Sequence, residues 1–445
     1  MTYSKKRILY ISNDSNIGGA TNVLYTLLKH IDKEKFEPEV IFPEEGPMVG
    51  LVRGLNIHTI ILPLKWWIAD RESCFYETYK DLIERSKKLA SIVETEKIDI
   101  VHTNTSVVIE GAIAARITGR PHIWHIHEIL YNHPTLTPYL PLYLSGMMID
   151  MLSDTIVAVS ERVRKGLVGA NLSRVRVIYN GIDIKPFDEN KSIRREIGIP
   201  ATTYIISTIS GILKEKGYDS LIETAALILS KRKDIVFLAT GSKQKTYLYE
   251  ELIKRVYELN IENNFHFLGF RNDISNIIRE TDIVVVPSIT ESFSLSAVEA
   301  MSYEKPVIAT ACGGLEEIVV DGETGIIVPV NNPHKMSDAI LNLLLDEEKR
   351  LAMGKKAKQR VQEFYLAERY VSEFEELYKT LGKKKLLSTH DNLILDSLID
   401  VFCEIRSLKS KEAYMNSILN SRSWKITALL RWLNGILMSL RRGIW

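Results

Sequence analysis

Two glutamates, Glu291 and Glu299, stand eight residues apart in a segment whose residue types suit a phosphorylated, hydroxyl-bearing ligand. The sequence predicts that a helix begins within three residues of Glu291. At a helix start the first main-chain N–H groups lack partners inside the helix, and the helix dipole favours an anion there. The amides of Phe293, Ser294 and Leu295 therefore suit a diphosphate. The carboxylates suit hydroxyl groups, because an ionised carboxylate only accepts hydrogen bonds.

The position of this segment favours a binding role over a structural one. Glu299 would lie about two helical turns beyond Glu291, a separation typical of an acid that accepts hydrogen bonds from a ribose diol. The alternative is that Glu291 only stabilises the helix start and Glu299 is a solvated charge. The segment follows a strand ending at Pro287. In doubly wound folds ligands bind at the carboxyl ends of strands, so the setting favours a site.

Three further positions could contact the same ligand. Lys216 follows the first strand of the second half, where a point charge would stabilise a phosphate, although a surface lysine is the alternative. Gly18 and Gly19 separate the first strand from a helix beginning near Ala20. Missing side chains let a main chain approach a phosphate or a sugar, but paired glycines also form ordinary turns.

A strand over 122–126 places two histidines, His125 and His127, on one face, because strand side chains alternate. Two imidazoles could begin a metal site. No third ligand follows at a recognisable spacing, so the sequence predicts no metal. His125 is predicted to be structural, and Glu128 to orient His127.

Composition limits the remaining possibilities. The chain has 445 residues, of which 45% are apolar, so it can form more than one core. Lysine and arginine total 57 against 56 acidic residues, which argues against a general nucleic-acid binder. The three cysteines have no metal or redox spacing and suit a reduced, cytosolic protein. The N-terminal apolar run is too short for a signal peptide.

Apolar, β-branched runs separated by helical stretches predict two doubly wound α/β domains. A charged stretch at 184–200 is the predicted linker between them. Strands of the first domain are predicted at 8–11, 40–42, 59–62, 98–102, 122–126, 155–159 and 175–179. Strands of the second are predicted at 204–207, 235–239, 265–268, 283–286, 307–309 and 325–328.

These patterns predict four regions. Residues 1–183 form one Rossmann-like domain, and residues 184–365 form a second Rossmann-like domain. Residues 366–385 form a helix that returns toward the first domain. Residues 386–445 form a helical appendage.

Within the appendage, residues 424–445 combine an apolar helical stripe with basic residues and tryptophans. This composition is typical of a helix that lies in the plane of a membrane surface. The apolar stretch 426–440 is interrupted by Arg431 and is too short to span a bilayer. Docking on the cytoplasmic membrane face is the hypothesis, and docking on a neighbouring domain or subunit is the alternative.

The chain resembles family 4 glycosyltransferases, which are retaining enzymes of the GT-B fold. Glu291 and Glu299 match the paired-glutamate motif of that family. The resemblance extends from about Arg7 to Leu381. The other segments that carry the resemblance are 158–160, 180–183, 282–288, 313–318 and 321–325.

The resemblance makes residues 1–183 the acceptor-side domain and residues 184–365 the domain that binds the nucleotide sugar. It also implies roles for individual residues. Glu299 would hold the nucleotide ribose, Glu291 the donor sugar, and the amides of residues 293–295 the phosphate. Lys216 would contact the donor pyrophosphate, and His127 the donor sugar. The Gly18–Gly19 loop would reach the donor phosphate or the acceptor. The turn containing Gly269, Phe270 and Arg271 would meet the nucleobase, which leaves uridine and guanosine donors open.

One position departs from the family pattern. Many members carry an arginine five residues before the lysine, where this chain has Gly211. Stabilisation of the leaving group is therefore expected to depend on Lys216 and the helix start, with Lys214 as partial compensation.

The implied function is transfer of a sugar from a nucleotide-diphosphate sugar to a hydroxyl acceptor, with the anomeric configuration retained. The tail favours a lipid-linked saccharide in bacterial cell-surface polysaccharide synthesis as the acceptor. The donor is a substrate, and neither a cofactor nor a metal is expected. The alternatives are a nucleotide-sugar epimerase of GT-B fold and a non-catalytic nucleotide-sugar-binding protein. The expected location is the cytoplasm.

Overall fold

Continuously apolar runs form two parallel sheets in the computed structural model, which describes residues 5–69, 81–131, 133, 136–138, 140–242 and 246–381. Strands of parallel sheets are buried on both faces, which is why their sequences do not alternate with polar residues. Contacts divide the chain into two units, residues 1–71 with 86–385 and residues 72–85 with 386–445. Both sheets lie in the first unit.

Seven strands of the first domain pair in parallel in the spatial order β3-β2-β1-β5-β6-β8-β9. The two-residue strands β4 and β7 pair with each other antiparallel and were not predicted from the sequence. In chain order the strands are β1 (Lys6–Ile11), β2 (Phe36–Phe42), β3 (His58–Ile61), β4 (Ile68–Ala69), β5 (Ile100–Thr103), β6 (His122–Ile126), β7 (Thr137–Pro138), β8 (Thr155–Ala158) and β9 (Val175–Val177). The helices are α1 (Gly19–His30), α2 (Pro47–Arg53), α3 (Leu82–Thr95), α4 (Glu110–Thr118), α5 (Leu142–Leu152) and α6 (Glu161–Gly166).

The second domain has six parallel strands in the order β12-β11-β10-β13-β14-β15. Its strands are β10 (Tyr204–Ile209), β11 (Ile235–Thr240), β12 (Phe265–Gly269), β13 (Ile283–Val286), β14 (Val307–Thr310) and β15 (Gly325–Val328). Its helices are α7 (Ile193–Ile197), α8 (Tyr218–Leu229), α9 (Thr246–Glu258), α10 (Ile274–Glu280), α11 (Leu295–Ser302), α12 (Leu315–Ile318), α13 (Pro333–Leu345) and α14 (Glu347–Phe364). Helix α7 lies within the charged stretch predicted as a linker.

The chain passes between the two domains twice, and the two crossings touch. Ile182 N donates to the Tyr365 main-chain oxygen at 2.9 Å, and Ala367 N donates to the Ile182 oxygen at 3.1 Å. The last described helix, α15 (Ala367–Thr380), begins at this point. Its Phe374 and Tyr378 are fully buried in the core of the first domain, which also contains the side chains of β1.

A cluster of buried imidazoles lies where α15 covers the first sheet. The ring centroids of His125 and His127 are 4.1 Å apart, and those of His125 and Phe374 are 5.0 Å apart. Tyr378 Oη lies 2.7 Å from His102 Nδ1, whereas neither ring nitrogen of His125 has a partner in the structure. Burial lowers the pKa of His102 and His125 well below the usual value and lowers the pKa of His127 to about 4. The cluster is therefore neutral at pH 7.

We expect His125→Phe to flatten the dependence of stability on pH. A histidine that is neutral when buried has a depressed pKa, so its contribution is present above the unfolded pKa of about 6.5 and is lost as pH falls below that value. Each such histidine lowers the free energy of unfolding by at most about 1.4 kcal/mol per pH unit. Urea unfolding at several values between pH 5 and pH 8 measures the slope.

The matched control for that experiment is His334→Gln. His334 is exposed at the beginning of α13 and meets water in both the folded and unfolded states. The control should keep the wild-type slope, while His125→Phe should also gain about 1 kcal/mol at pH 7, because two unpaired buried nitrogens are removed. Equal slopes for His125→Phe and wild type would contradict the expectation.

The predicted appendage, 386–445, and its membrane-docking segment, 424–445, lie outside the described residues. Within the described ranges, no helix is both long enough and apolar enough to cross a lipid bilayer.

Candidate functional site

Strand order brings the predicted lysine and glutamate loops together. Strand β10 pairs with β11 on one side and β13 on the other, so the chain reverses its direction across the sheet between β10 and β13. The loop with Lys216 follows β10, and the loop with Glu291 follows β13. Loops at such a reversal diverge and leave a crevice at the carboxyl ends of the strands, where doubly wound folds bind ligands.

Lys216 and Glu291 form an ion pair in this crevice. Lys216 Nζ lies 2.7 Å from Glu291 Oε2, with side chains 22% and 11% exposed. Burial opposes the charged form of Lys216, but the adjacent carboxylate outweighs it, and the pKa of Lys216 is raised. Ser288 Oγ also contacts Glu291 Oε2, at 3.4 Å. Glu291 Oε1 has no hydrogen-bond partner among the residues that the structure describes, which leaves it able to accept from a ligand hydroxyl.

The main chain fixes these two loops against each other. Ile289 N donates to the Glu215 oxygen at 2.7 Å. Gly217 has a φ of +68°, and a Cβ at this position would lie 2.0 Å from the Pro287 oxygen. A side chain at residue 217 would both strain the backbone and push the loops apart. The ion pair is therefore held by a rigid frame.

Helix α11 begins at Leu295, directly after the stretch 292–294 in which the sequence places the helix start. Ser294 is its N-cap, and Ser294 Oγ accepts from Ala297 N at 3.3 Å. In the described part of the chain, no hydrogen bond joins the N–H groups of Ser294, Leu295 and Ser296 to another residue. The amide of Phe293 has no hydrogen-bond partner among these residues either, so the three amides selected from the sequence, those of 293–295, are all unpaired. Phe293 precedes the helix, and its buried ring packs between aromatic side chains.

Glu299 carries an unpaired carboxylate on α11. Its side chain is partly buried, and no ion pair or hydrogen bond links its carboxylate to another residue of the described ranges. Burial raises the pKa of Glu299, and the positive charge of Lys185 partly opposes this shift. An acid that is buried without a partner is costly. This environment suits a carboxylate that accepts hydrogen bonds from a ligand.

The predicted base-binding turn follows β12. Gly269 has a φ of +70°, and Phe270 is 56% exposed. All three nitrogens of the Arg271 guanidinium form hydrogen bonds within the protein, at 2.6 and 2.8 Å from the Glu196 carboxylate and 2.8 Å from Asp273. These contacts hold the turn and leave its main chain, rather than the Arg271 side chain, available to a ligand.

The paired glycines lie at the carboxyl end of β1. Gly18 is the N-cap of α1, and its N–H donates to Thr21 Oγ1 at 2.9 Å. Gly18 and Gly19 are both exposed, and a Cβ on Gly19 would meet nothing within 4 Å. Internal packing therefore does not require glycine at 19.

Asn104, which the sequence analysis did not select, fixes the tautomer of His127. Asn104 Nδ2 donates to the Ala20 oxygen at 3.1 Å, so Asn104 Oδ1 faces His127 Nε2, also at 3.1 Å. An amide oxygen only accepts, so His127 Nε2 carries the hydrogen. Because the neutral ring has one N–H, Nδ1 is left as an acceptor.

Glu128 holds the loop beside His127 rather than its ring. Its carboxylate accepts from Thr105 Oγ1 at 2.7 Å and from Ser106 N at 2.9 Å. It also accepts from the main-chain N–H of His127 at 3.2 Å. Glu128 therefore positions the backbone at 127, while Asn104 positions the imidazole.

We expect Asn104→Asp to make activity depend on pH. A carboxylate beside His127 stabilises the imidazolium, so the pKa of His127 should rise from about 4. Above the raised pKa the ring is neutral and Nδ1 accepts. As pH falls through that pKa, Nδ1 gains a proton and activity is lost. Profiles of kcat/KM between pH 5 and pH 8 measure this effect.

Asn104→Ala is the control, because it removes the positioning bond without adding a charge. Its kcat/KM should fall about 10-fold or more, by the same factor at every pH. A profile for Asn104→Asp that superimposes on that of the wild type would show that His127 has no role in turnover.

A cavity of about 410 Å³ adjoins the Glu291 loop. Gly313, in its wall, pairs with Glu291 in an isolated parallel bridge, and Gly314 N donates to the Glu291 oxygen at 3.0 Å. The lining residues come from both domains, and they are Tyr131, Arg162, Ile289, Thr290, Ala311, Cys312, Gly313 and Glu316.

Glu317 attaches the first domain to the wall of this cavity. Its carboxylate accepts from Glu161 N at 2.8 Å and from Arg162 N at 2.7 Å, at the start of α6. Ser160, the N-cap of α6, accepts from Val163 N at 3.2 Å. The two sequence segments that contain Ser160 and Glu317 thus meet in the fold.

One group in the described residues has the geometry for a shared metal ion: Glu39, His58 and Glu96. Arg7 Nη2 lies 2.5 Å from Glu39 and 3.4 Å from Glu96, and His58 Nδ1 lies 3.1 Å from Glu39. The Arg7 guanidinium already supplies a positive charge between these carboxylates. We interpret this group as an ion-pair network at the beginning of β1.

Comparisons with known proteins agree with this geometry. Residues 17–185 match the model described as Glycosyltransferase Family 4, and residues 189–360 match that of Glycosyl transferases group 1. A glycosyltransferase of Methanocaldococcus jannaschii, MJ1178, is 30% identical over 292 residues, which cover 64% of this chain and 76% of that protein. The chain belongs to glycosyltransferase family 4.

A further relative supports the enzyme class, and a solved structure supports the fold. The capsular polysaccharide biosynthesis glycosyltransferase CapM of Staphylococcus aureus is 26% identical over 73% of this chain and 85% of its own length. The structure of Anabaena HepE in complex with UDP and glucose has a TM-score of 0.72 at 23% identity, covering 84% of this chain and 99% of that one. The fold is GT-B, and the protein is a glycosyltransferase.

Family membership does not identify every residue at this site. Asn104 follows β5 and Arg162 is the second residue of α6, and no local pattern distinguishes either of them. Glu317 lies within the segment 313–318, which carries the family resemblance but was not selected residue by residue. One signal was available: Asn104 lies two residues beyond the predicted strand 98–102, and polar residues beyond the carboxyl ends of neighbouring strands share one crevice.

Proposed function

We propose that this protein is a retaining glycosyltransferase that moves a sugar from a nucleotide-diphosphate sugar to a hydroxyl of a saccharide acceptor. The observation that carries the proposal is the Lys216–Glu291 pair between β10 and β13, beside the unpaired amides of α11. Positive charge for a diphosphate and a hydroxyl-accepting oxygen for a sugar thus lie together. The UDP and glucose held by HepE support a donor of this kind.

Each donor group has a residue in the proposal. Glu299 accepts from the ribose diol, and the α11 amides with Lys216 bind the diphosphate. Glu291 Oε1 and His127 Nδ1 accept from the donor sugar. The main chain at 269–271 meets the base. The Gly18–Gly19 loop contacts the phosphate or the acceptor.

The proposed step needs no protein nucleophile. The acceptor hydroxyl attacks the anomeric carbon from the face that the diphosphate leaves, and its proton passes to the leaving phosphate oxygen. The C–O bond to the diphosphate breaks as the new glycosidic C–O bond forms, so the configuration is retained. Lys216 and the α11 amides stabilise the charge on the departing diphosphate. No metal ion forms part of this proposal, since these groups supply the positive charge.

The acceptor is proposed to be a saccharide, or a lipid-linked saccharide, in cell-surface polysaccharide synthesis. CapM, the relative of Staphylococcus aureus, is named for capsular polysaccharide biosynthesis. The basic, tryptophan-containing segment 424–445 would bring the enzyme to a membrane-borne acceptor.

The test of function has two stages. A panel of UDP- and GDP-sugars is first screened for protection against thermal unfolding, because a bound ligand raises apparent stability. The protecting donor is then incubated with and without saccharide acceptors, and the anomeric configuration of the product is read by NMR. Nucleotide released only with acceptor, together with a retained configuration, is the expected result. Epimer formation without acceptor would establish the rival epimerase, and binding without any turnover would indicate a sensor.

The membrane proposal has its own test. The full chain and a truncation after Lys385 are floated with liposomes that contain anionic lipid. The full chain alone should float. Equal behaviour of the two proteins would remove the membrane proposal without affecting the proposed reaction.

A further inference from the structure

Arg162 lines the 410 Å³ cavity, and its guanidinium has no counter-ion among the residues that the structure describes. No salt bridge or side-chain hydrogen bond joins it to any residue that the structure describes, and its Nε is buried and unpaired. A guanidinium stays charged at every pH that proteins tolerate. Burying part of that charge without a partner costs free energy, so the site favours a ligand that supplies a negative group.

The position of Arg162 is fixed from two sides. Glu317 accepts its main-chain N–H at 2.7 Å. Gly313 has a φ of +112°, and a Cβ there would lie 2.6 Å from Arg162 Cγ. The side chain of Arg162 thus occupies the space that a side chain at 313 would fill. Such a preorganised fork binds a carboxylate or a phosphate through two parallel hydrogen bonds.

The other charged and titratable groups of the cavity do not neutralise Arg162. Glu316 forms no ion pair with Arg162 in the described structure, and one Glu316 oxygen accepts from Gly313 N at 2.8 Å. Burial, reinforced by the charge of Glu291, raises the pKa of the Cys312 thiol to about 12, so this thiol is neutral. The remaining Glu316 oxygen can accept from a hydroxyl. A ligand with both a hydroxyl and an anionic group therefore matches the cavity.

We propose that the acceptor carries an anionic group, a phosphate or a carboxylate, which Arg162 binds. This inference rests on the proposed function and specifies its acceptor class. The donor diphosphate already has Lys216 and the start of α11, whereas Arg162 and Tyr131 belong to the first domain. The cavity adjoins the sugar-binding position, because Gly313 pairs with Glu291. An acceptor anchored at Arg162 would thus present its hydroxyl beside the donor sugar.

Two kinds of small anion can test the site directly. Glycerol 1-phosphate and glucuronate are titrated into the full-length protein by calorimetry, with glycerol and glucose as neutral counterparts. UDP or GDP at saturating concentration occupies the donor phosphate position. Wild type should bind at least one of the anions in the millimolar range and neither neutral compound. Which anion binds distinguishes a phosphate-bearing acceptor from an acidic sugar.

Arg162→Met retains the apolar stem against Gly313 and removes the fork. We expect its anion affinity to fall about 10-fold or more, with nucleotide affinity unchanged. Arg162→Lys keeps the charge without the fork and should show an intermediate loss. Arg164→Met is the matched control on the same helix, because Arg164 pairs with Glu161 at 2.8 Å and does not line the cavity.

Several results would overturn the assignment. Wild type that binds neither anion would remove it, as would unchanged anion binding in Arg162→Met. A loss of nucleotide affinity in Arg162→Met would show that Arg162 binds the donor rather than the acceptor. A failure of the proposed function can be distinguished from a failure of this inference. If neither UDP nor GDP binds, the proposed donor site is wrong, but anion binding measured without nucleotide still decides whether Arg162 forms an anion site.

Discussion

Lys216→Met is expected to lower kcat by about 10²- to 10³-fold, the loss typical when one preorganised charge-stabilising group is removed from a reaction centre. Lys216 lies 2.7 Å from Glu291, so the substitution removes the cation that we propose to stabilise the leaving group and also leaves the Glu291 carboxylate without its ion-pair partner. The donor diphosphate keeps the α11 amides, so KM for the donor should change much less than kcat. Steady-state kinetics with the donor found by thermal protection measures both constants.

Two further variants test whether the position of the Lys216 charge matters or only the number of positive charges in the loop. Lys214→Met removes an exposed lysine of the same loop that forms no ion pair in the described structure. It should reduce kcat only a few-fold if Lys214 compensates for the arginine that Gly211 replaces. Lys216→Arg should retain more activity than Lys216→Met, because the charge remains. Comparable losses in Lys214→Met and Lys216→Met would show that the Glu291 pair has no special role.

Much of the fold could be predicted from the sequence, because strands buried on both faces must be apolar along their whole length. Each strand predicted from such a run, from β1 to β15, is present in the structure. The two strands that were missed, β4 and β7, have two residues each and are too short to form a pattern. The start of α11 could be placed from the sequence only within the stretch 292–294, because several adjacent serines can serve as the N-cap and only tertiary structure selects Ser294.

The partners within the site were less predictable, because they depend on strand order. Lys216 and Glu291 are 75 residues apart and meet only because β10 lies beside β13. Apolar periodicity specifies strands but not their neighbours. Asn104 and His127 meet for the same reason, since β5 pairs with β6. The role of Arg162 could not be predicted from the sequence either, because it depends on the contact between α6 of the first domain and Gly313 of the second.

Glu299→Ala is expected to abolish the thermal protection given by nucleotides and to weaken their binding about 10²-fold. A ribose diol can donate two hydrogen bonds to one carboxylate, and bonds to charged groups contribute about 1.5–3 kcal/mol each. Glu299 is partly buried, its pKa is raised by burial, and its carboxylate has no partner in the described structure. Removing it should therefore leave the stability of the free protein unchanged or slightly increased. A loss of nucleotide binding could not then be attributed to unfolding.

The ribose assignment is tested most sharply by pairing the variant with altered nucleotides. Wild type should bind UDP or GDP more tightly than the corresponding 2′,3′-dideoxy nucleotide, while Glu299→Ala should bind both with the same weakened affinity. Such coupling isolates the contact between the carboxylate and the diol from indirect effects of the substitution. Glu250→Ala, on the exposed surface of α9, is the control and should discriminate as wild type does. If Glu299→Ala still prefers the natural nucleotide by the wild-type factor, another residue reads the ribose. The partly buried carboxylate of Glu299 would then be expected to bind another group of the donor, either the base or the sugar.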